Sequence, residues 1–135
     1  MPGTTAYMSP EQLHGEPLDA RSDVFSLGCV LQEMATRRHP FRRQSVAGTI
    51  AAILNEPPPP LTSSGEWSAE LQRIISKCLD KDKGRRYQTA SDLLVDLHNV
   101  NRVWHPRRVA LQVFIRHARA RSARPRLSSL SRSRQ

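Results

Sequence analysis

Cysteine is scarce in this chain, and nothing in its placement gives it a chemical role. The 135 residues hold two, Cys29 and Cys78, too few for a disulfide framework and not spaced for a zinc site. Both fall within apolar helical patterns, which predicts buried, reduced thiols suited to a reducing compartment. Histidines 14, 39, 98, 105 and 117 also lack metal-ligand spacing, so all five read as surface or packing residues. No Gly-x-Ser-x-Gly elbow marks an acylating triad. No apolar run approaches the roughly 20 residues of a membrane helix. The longest, residues 109–115, is short and interrupted by Gln112. The opening Met1-Pro2-Gly3 leads straight into polar sequence with no signal-peptide pattern, which makes the cytoplasm the expected location. Alternating strand periodicity is absent throughout.

Acidic residues are missing from one end. Residues 101–135 carry ten Arg and no Asp or Glu, whereas residues 1–100 carry 11 Lys+Arg and 12 Asp+Glu. The sequence pI of 11.0 therefore belongs to the tail. This division predicts a folded part over residues 1–100 and an Arg-rich tail over 101–135. Low apolar content and same-sign charge predict disorder beyond about residue 118. A basic amphipathic helix is conceivable over 109–121. Weak, nonspecific, salt-dependent polyanion binding is the expected behaviour of such a tail, since no base-reading motif accompanies the arginines.

The pattern that remains is helical. Residues 3–22 read as loop with one short helix near Pro10 to His14. Residues 23–36 form the most apolar segment. Val24, Phe25, Leu27, Cys29, Val30, Leu31, Met34 and Ala35 spread around nearly the whole helical circumference, as in a helix surrounded by protein. A basic link, Arg37-Arg38-His39-Pro40-Phe41-Arg42-Arg43, follows. Val46, Ile50, Ile53 and Leu54 then mark an amphipathic helix over residues 45–56. The run Pro57 to Pro60 must be extended. Ser68 is the expected N-cap of a helix carrying Leu71, Ile74, Ile75, Cys78 and Leu79. Thr89-Ala90-Ser91-Asp92 has capping-box form and opens a last helix with Leu93, Leu94, Leu97 and Val100. The expected fold class is all-α.

Four short motifs occur in a telling order. Gly3-Thr4-x-x-Tyr7-Met8-Ser9-Pro10-Glu11 resembles the end of a protein kinase activation segment, the loop that receives the substrate residue after the phospho-acceptor. Residues 19–30, from Asp19-Ala20-Arg21-Ser22-Asp23 to Leu27-Gly28-Cys29-Val30, resemble the central F helix of that family. His39-Pro40-Phe41 resembles the Pro-Phe step beyond it, and Arg85-Arg86-Tyr87-Gln88-Thr89-Ala90 the closing Arg motif. Each is weak alone. In this order and spacing the chain resembles, over about residues 3–100, the C-terminal lobe of a bacterial eukaryotic-like serine/threonine protein kinase.

The resemblance implies roles for individual residues. Ser9, Pro10 and Glu11 stand where the family has Ala-Pro-Glu, and Glu11 is expected to pair with Arg86, with Arg85 as a competing partner. Arg suits a partly buried carboxylate because its planar fork donates two parallel hydrogen bonds. Asp23 matches an Asp that holds the catalytic-loop backbone in the family. As a residue at a helix start it can also serve as a plain cap. Thr4 and Tyr7 belong to the substrate loop by resemblance. Thr4 matches a threonine that arranges the catalytic Asp and Lys, and it also reads as an ordinary loop threonine. Thr4 and Thr5 are candidate phosphorylation sites.

The same resemblance brings out what is missing. Phosphoryl transfer needs a Gly-rich loop over ATP, a phosphate-binding Lys and its Glu, a His-Arg-Asp loop with its Asn, and an Asp-Phe-Gly metal site. None of these motifs is present, and the three lysines, Lys77, Lys81 and Lys83, lie in or after one helical segment. The sequence expectation is a truncated kinase, with no catalytic, cofactor-binding or metal-binding residue of its own. ATP and Mg belong to the intact family, and a protein substrate or docking partner is the implied partner. A fragment lacking the elements that cover the F helix is expected to be marginally stable and to expose apolar surface. The tail begins like a juxtamembrane linker and then takes the composition of out-of-frame translation, so an intact parent would be membrane-anchored by hypothesis. Two alternatives stand beside this reading: a non-catalytic protein-docking module acting through residues 46–54 and the substrate loop, and polyanion binding through the tail.

Overall fold

Short polar side chains ahead of apolar runs set the helix starts. In the computed structural model, which describes residues 5–62 and 66–103, the described residues form α1 (Pro10–Leu13), α2 (Ala20–Thr36), α3 (Val46–Asn55), α4 (Glu66–Cys78) and α5 (Ala90–Val103), with a 3-10 turn at Lys83–Arg85. No strand occurs among the described residues, and the expected all-α class is the observed one. Thr4 and residues 104–135, with the expected tail helix and disorder, lie outside the described residues.

Two helix starts differ from the sequence expectation. Asp19, not Asp23, caps α2, accepting from the Arg21 backbone N–H at 2.8 Å. Asp19 wins because its backbone is extended, at φ −142°, and a cap needs a non-helical residue whose oxygen reaches back to the first free N–H groups. Asp23 lies one turn inside the helix, is exposed, and has no hydrogen-bond or ion-pair partner among the described residues. α4 opens at Glu66, so Ser68 sits in its first turn and is buried. Elsewhere the signals hold: Ser45 accepts from Gly48 N–H at 3.0 Å, and Thr89 from Asp92 N–H at 3.1 Å.

α2 is the post between two apolar clusters. On one side Phe25 and Cys29 meet Phe41, Ala52, Ile53, Ile75 and Leu79. On the other, Val24 meets Ile74, Cys78, Tyr87 and Leu93. Gly28 makes the α2–α4 contact possible, because a Cβ there would stand 2.6 Å from Cys78 Cβ and 2.9 Å from Leu79 Cδ2. Both cysteines are free and fully buried, and burial pushes each thiol pKa up to about 12. They are inert packing residues, as the sequence suggested.

α2 is not covered on every side. Leu27, Val30 and Met34 are 41%, 39% and 75% exposed, and with Asp23 they fall at i, i+4, i+7 and i+11, one stripe of the helix. The apolar circumference read from the sequence is therefore buried on two sides and open on this third one.

Candidate functional site

The most extensively hydrogen-bonded buried feature grows from four residues, Ser9-Pro10-Glu11-Gln12. Ser9 Oγ accepts from the Gln12 backbone N–H at 3.3 Å, and Gln12 Oε1 accepts from the Ser9 N–H at 2.8 Å. Proline at the first helical position costs no hydrogen bond, since that N–H would be free. This reciprocal cap turns the chain into α1 and leaves Glu11 3% exposed.

Glu11 faces Arg86, 75 positions away. Arg86 Nη1 donates to Glu11 Oε1 at 2.6 Å and Nη2 to Oε2 at 2.8 Å, a bidentate pair. The other Arg86 donors are also used: Nη1 reaches the Arg21 carbonyl at 2.9 Å and Nε the Asp80 carbonyl at 2.8 Å. Ser22 Oγ adds a further bond to Glu11 Oε1 at 2.8 Å. The Arg86 guanidinium lies 5.0 Å from the Phe25 ring centroid. Burial alone would raise the Glu11 pKa. Bonds from Arg86, from its own backbone N–H and from Ser22, with the Arg86 charge, overcome that and bring it down to about 2. Arg85 is exposed and points instead toward Asp82, 4.0 Å away.

Tyr7 supplies a second tie. Its hydroxyl donates to Glu33 Oε2 at 2.5 Å, and its carbonyl accepts from Ser26 Oγ at 2.7 Å. The Glu33 bond, with burial and the Glu33 charge, raises the Tyr7 pKa above the phenol value. His39 packs edge-on against the Tyr7 ring at 4.8 Å. Two residues of α2, Ser26 and Glu33, thus fix the loop just before α1. Glu33 was not singled out from the sequence. The available signal was a lone carboxylate on a helix otherwise apolar over two turns.

The sequence-predicted residues therefore divide. Tyr7, Ser9, Pro10, Glu11 and Arg86 converge where the loop meets the helical base. Asp23 stands apart at the foot of the exposed α2 stripe. What the converging set can do is hold a loop, since its carboxylate and guanidinium are consumed by each other. Among the described residues no group of three or more His, Cys, Asp or Glu is placed to hold a metal ion, and no helix is long and apolar enough to cross a membrane.

Comparison with known proteins agrees with this geometry. The family model for the protein kinase domain matches residues 1–97. The chain is 44% identical over 100 residues to the serine/threonine-protein kinase PknB of Mycolicibacterium smegmatis, and 43% identical over 100 residues to PknB of Mycobacterium tuberculosis. Each match covers 73% of this chain and 16% of the relative. A probable serine/threonine-protein kinase of Streptomyces coelicolor is 44% identical over 96 residues, covering 70% of this chain and 14% of that protein. The chain thus spans about a sixth of the length of these curated relatives. It belongs to the protein kinase domain family, in its bacterial eukaryotic-like serine/threonine branch.

Proposed function

We propose that this chain provides the substrate-facing helical part of a serine/threonine protein kinase, and that the 135-residue polypeptide by itself neither binds Mg-ATP nor transfers phosphate. The observation that carries the first half is the buried Glu11–Arg86 pair, which fastens the substrate loop to the helical base. A loop that must present a peptide for in-line attack needs such fixing, because much of phosphoryl-transfer catalysis is positioning.

The second half is supported by the donor set. Mg-ATP needs a free Lys on the phosphates and carboxylates on the metal. Lys77 Nζ instead lies 4.3 Å over the Tyr87 ring and Lys81 Nζ 3.9 Å over the Phe41 ring. Lys83 belongs to the 3-10 turn. These residues do not fit the nucleotide, and no chemical step follows from them. Incubation of the purified chain with radiolabelled ATP, Mg and a general protein substrate is expected to give no Mg-dependent label transfer. Transfer above the no-enzyme level would overturn the proposal.

Docking through residues 46–54 is less favoured by the packing. Ile53 and Ala52 are fully buried in the core, and the exposed apolar residues of that helix are Val46 and two small alanines, Ala47 and Ala51.

A further inference from the structure

The basic link between α2 and α3 is a built feature. α2 ends at Arg37, which has a left-handed backbone, φ 60°, costing on the order of 1 kcal/mol in a residue other than glycine. Thr36 Oγ1 then accepts from the Arg38 N–H at 3.2 Å. His39 Nδ1 accepts from the N–H groups of Phe41 and Arg42, both at 3.1 Å. Thr49 Oγ1 accepts from the Arg43 N–H at 2.9 Å, and Phe41 is fully buried between the ends. The turn is locked along its length, so its exposed arginines start from fixed positions.

A groove of about 850 Å³ runs between this turn and the extended segment at Pro59, Pro60 and Thr62. Arg37, Arg38 and Arg42 line it, and none has a carboxylate within ion-pair distance among the described residues. Arg43 is paired with Glu56. One carboxylate, Glu33, lines the groove; it accepts from the Tyr7 hydroxyl and keeps its charge, so the lining sets four Arg against one Glu. The proline wall offers few N–H donors. At the floor, Gln32 is 1% exposed and donates its Nε2 to the Pro59 carbonyl at 2.9 Å, while its Oε1 is buried without a partner. A second, smaller recess shares Arg42 and Arg43 and reaches Thr5 and Ala6 of the substrate loop.

The three arginines without a carboxylate partner among the described residues, set around a groove of this size, ask for several anions held in one occupant. A free phosphate supplies one. An extended peptide with acidic side chains supplies several. We propose that this groove is a docking site for a polypeptide segment bearing two or more anionic side chains, carboxylate or phosphate, next to the substrate loop. The proposal rests on the kinase reading above and names its substrate class.

Fluorescence anisotropy with labelled dodecapeptides tests it on the full chain near 0.15 M salt, without nucleotide. One peptide carries three Glu, a second three Gln, and a third phosphoserine at the same places. The Glu peptide is expected to bind at least ~10-fold tighter than the Gln peptide, from two or three charge-assisted contacts. The phosphoserine arm tells phosphate from carboxylate as the preferred anion. R38E/R42E is expected to abolish the preference, and R37E/R38E to weaken it. Arg42 interacts with the Tyr7 hydroxyl and Arg37 caps the C-terminus of α2, so a modest loss of melting temperature is expected. Circular dichroism checks that both variants are folded at the assay temperature, and R38Q/R42Q, which adds no negative charge, should also reduce the preference. Tail substitutions R119Q/R121Q/R124Q should leave the preference unchanged. Equal binding of Glu and Gln peptides, loss through the tail variant alone, or groove-dependent binding of a single-stranded oligonucleotide in preference to all peptides would overturn the proposal. Because the readout involves no phosphate transfer, its failure leaves the kinase reading intact, and activity in the isolated chain would leave the docking result intact.

Discussion

Replacing Arg86 with Met should unfold much of this chain's margin of stability. The substitution keeps most of the side-chain volume but removes both donors to Glu11, leaving a carboxylate that is 3% exposed. Breaking a buried pair from one side typically costs about 3–5 kcal/mol. The Glu11 pKa gives an independent figure. Its fall from 4.5 to about 2 corresponds to about 3 kcal/mol of differential interaction with the charged form. Because the folded value is the lower one, this stability is present above pH 4.5 and is lost as pH falls toward 2. Urea unfolding followed by circular dichroism should therefore show a midpoint lower by about 1–3 M, using a slope of about 1–3 kcal/mol/M. In Arg86→Met the burial of Glu11 is no longer offset, so its folded pKa should rise, and the acid loss seen in wild type should shrink or reverse, because protonating Glu11 then relieves the buried charge. The pair E11Q/R86M should cost less than the sum of the single changes, as expected for coupled neighbours. A loss under about 1 kcal/mol in Arg86→Met, or strict additivity in the double variant, would refute the view that this pair holds the loop to its base.

Two further outcomes concern positions on and beside α2. Burial brings the Lys81 pKa down to about 8 from 10.5, and its buried Nζ has no hydrogen-bond partner. The folded state therefore favours the neutral amine, a cost that is full below pH 8 and relieved as pH rises toward 10.5. Lys81→Met should be more stable than wild type at pH 7 by about 1–2 kcal/mol, after loss of the contact with the Phe41 ring. This gain should shrink between pH 8 and 10.5, and a flat difference in melting temperature across that range would contradict the reading. Gly28→Ala should destabilise by about 1–3 kcal/mol through overpacking against Cys78 and Leu79, although alanine is the better helix former by about 1 kcal/mol. Chemical denaturation decides the sign.

Most of the fold is legible in the sequence because its helices obey local rules. The period of Leu71, Ile74, Ile75, Cys78 and Leu79, and the Ser45 and Thr89 caps, each depend on neighbours within a few positions. The misplaced features depend on more. Asp19 and Asp23 both precede apolar residues, and only the backbone conformation at 19 decides which one caps. Ser68 has the chemistry of a cap, yet the chain is already helical at Glu66, so Ser68 lies within the first turn of α4 and not ahead of it. The exposed apolar surface on α2 is, by contrast, expected from the missing elements that cover the F helix in the family, but helical pattern cannot say which stripe it is, and the fold leaves Leu27, Val30 and Met34 open. The candidate site was legible only through its motifs, since nothing in spacing joins Glu11 to Arg86. Tyr7–Glu33, the Lys81 burial and the groove beside Gln32 arise from folding distant segments together.

The most direct test of the central claim is calorimetric titration of Mg-ATP into the purified 135-residue chain. Ten tail arginines attract any polyphosphate, so tripolyphosphate is the necessary reference. The expected result is that Mg-ATP binds no better than tripolyphosphate, with the same steep dependence on salt. Saturable binding that requires the adenosine group and Mg would contradict it.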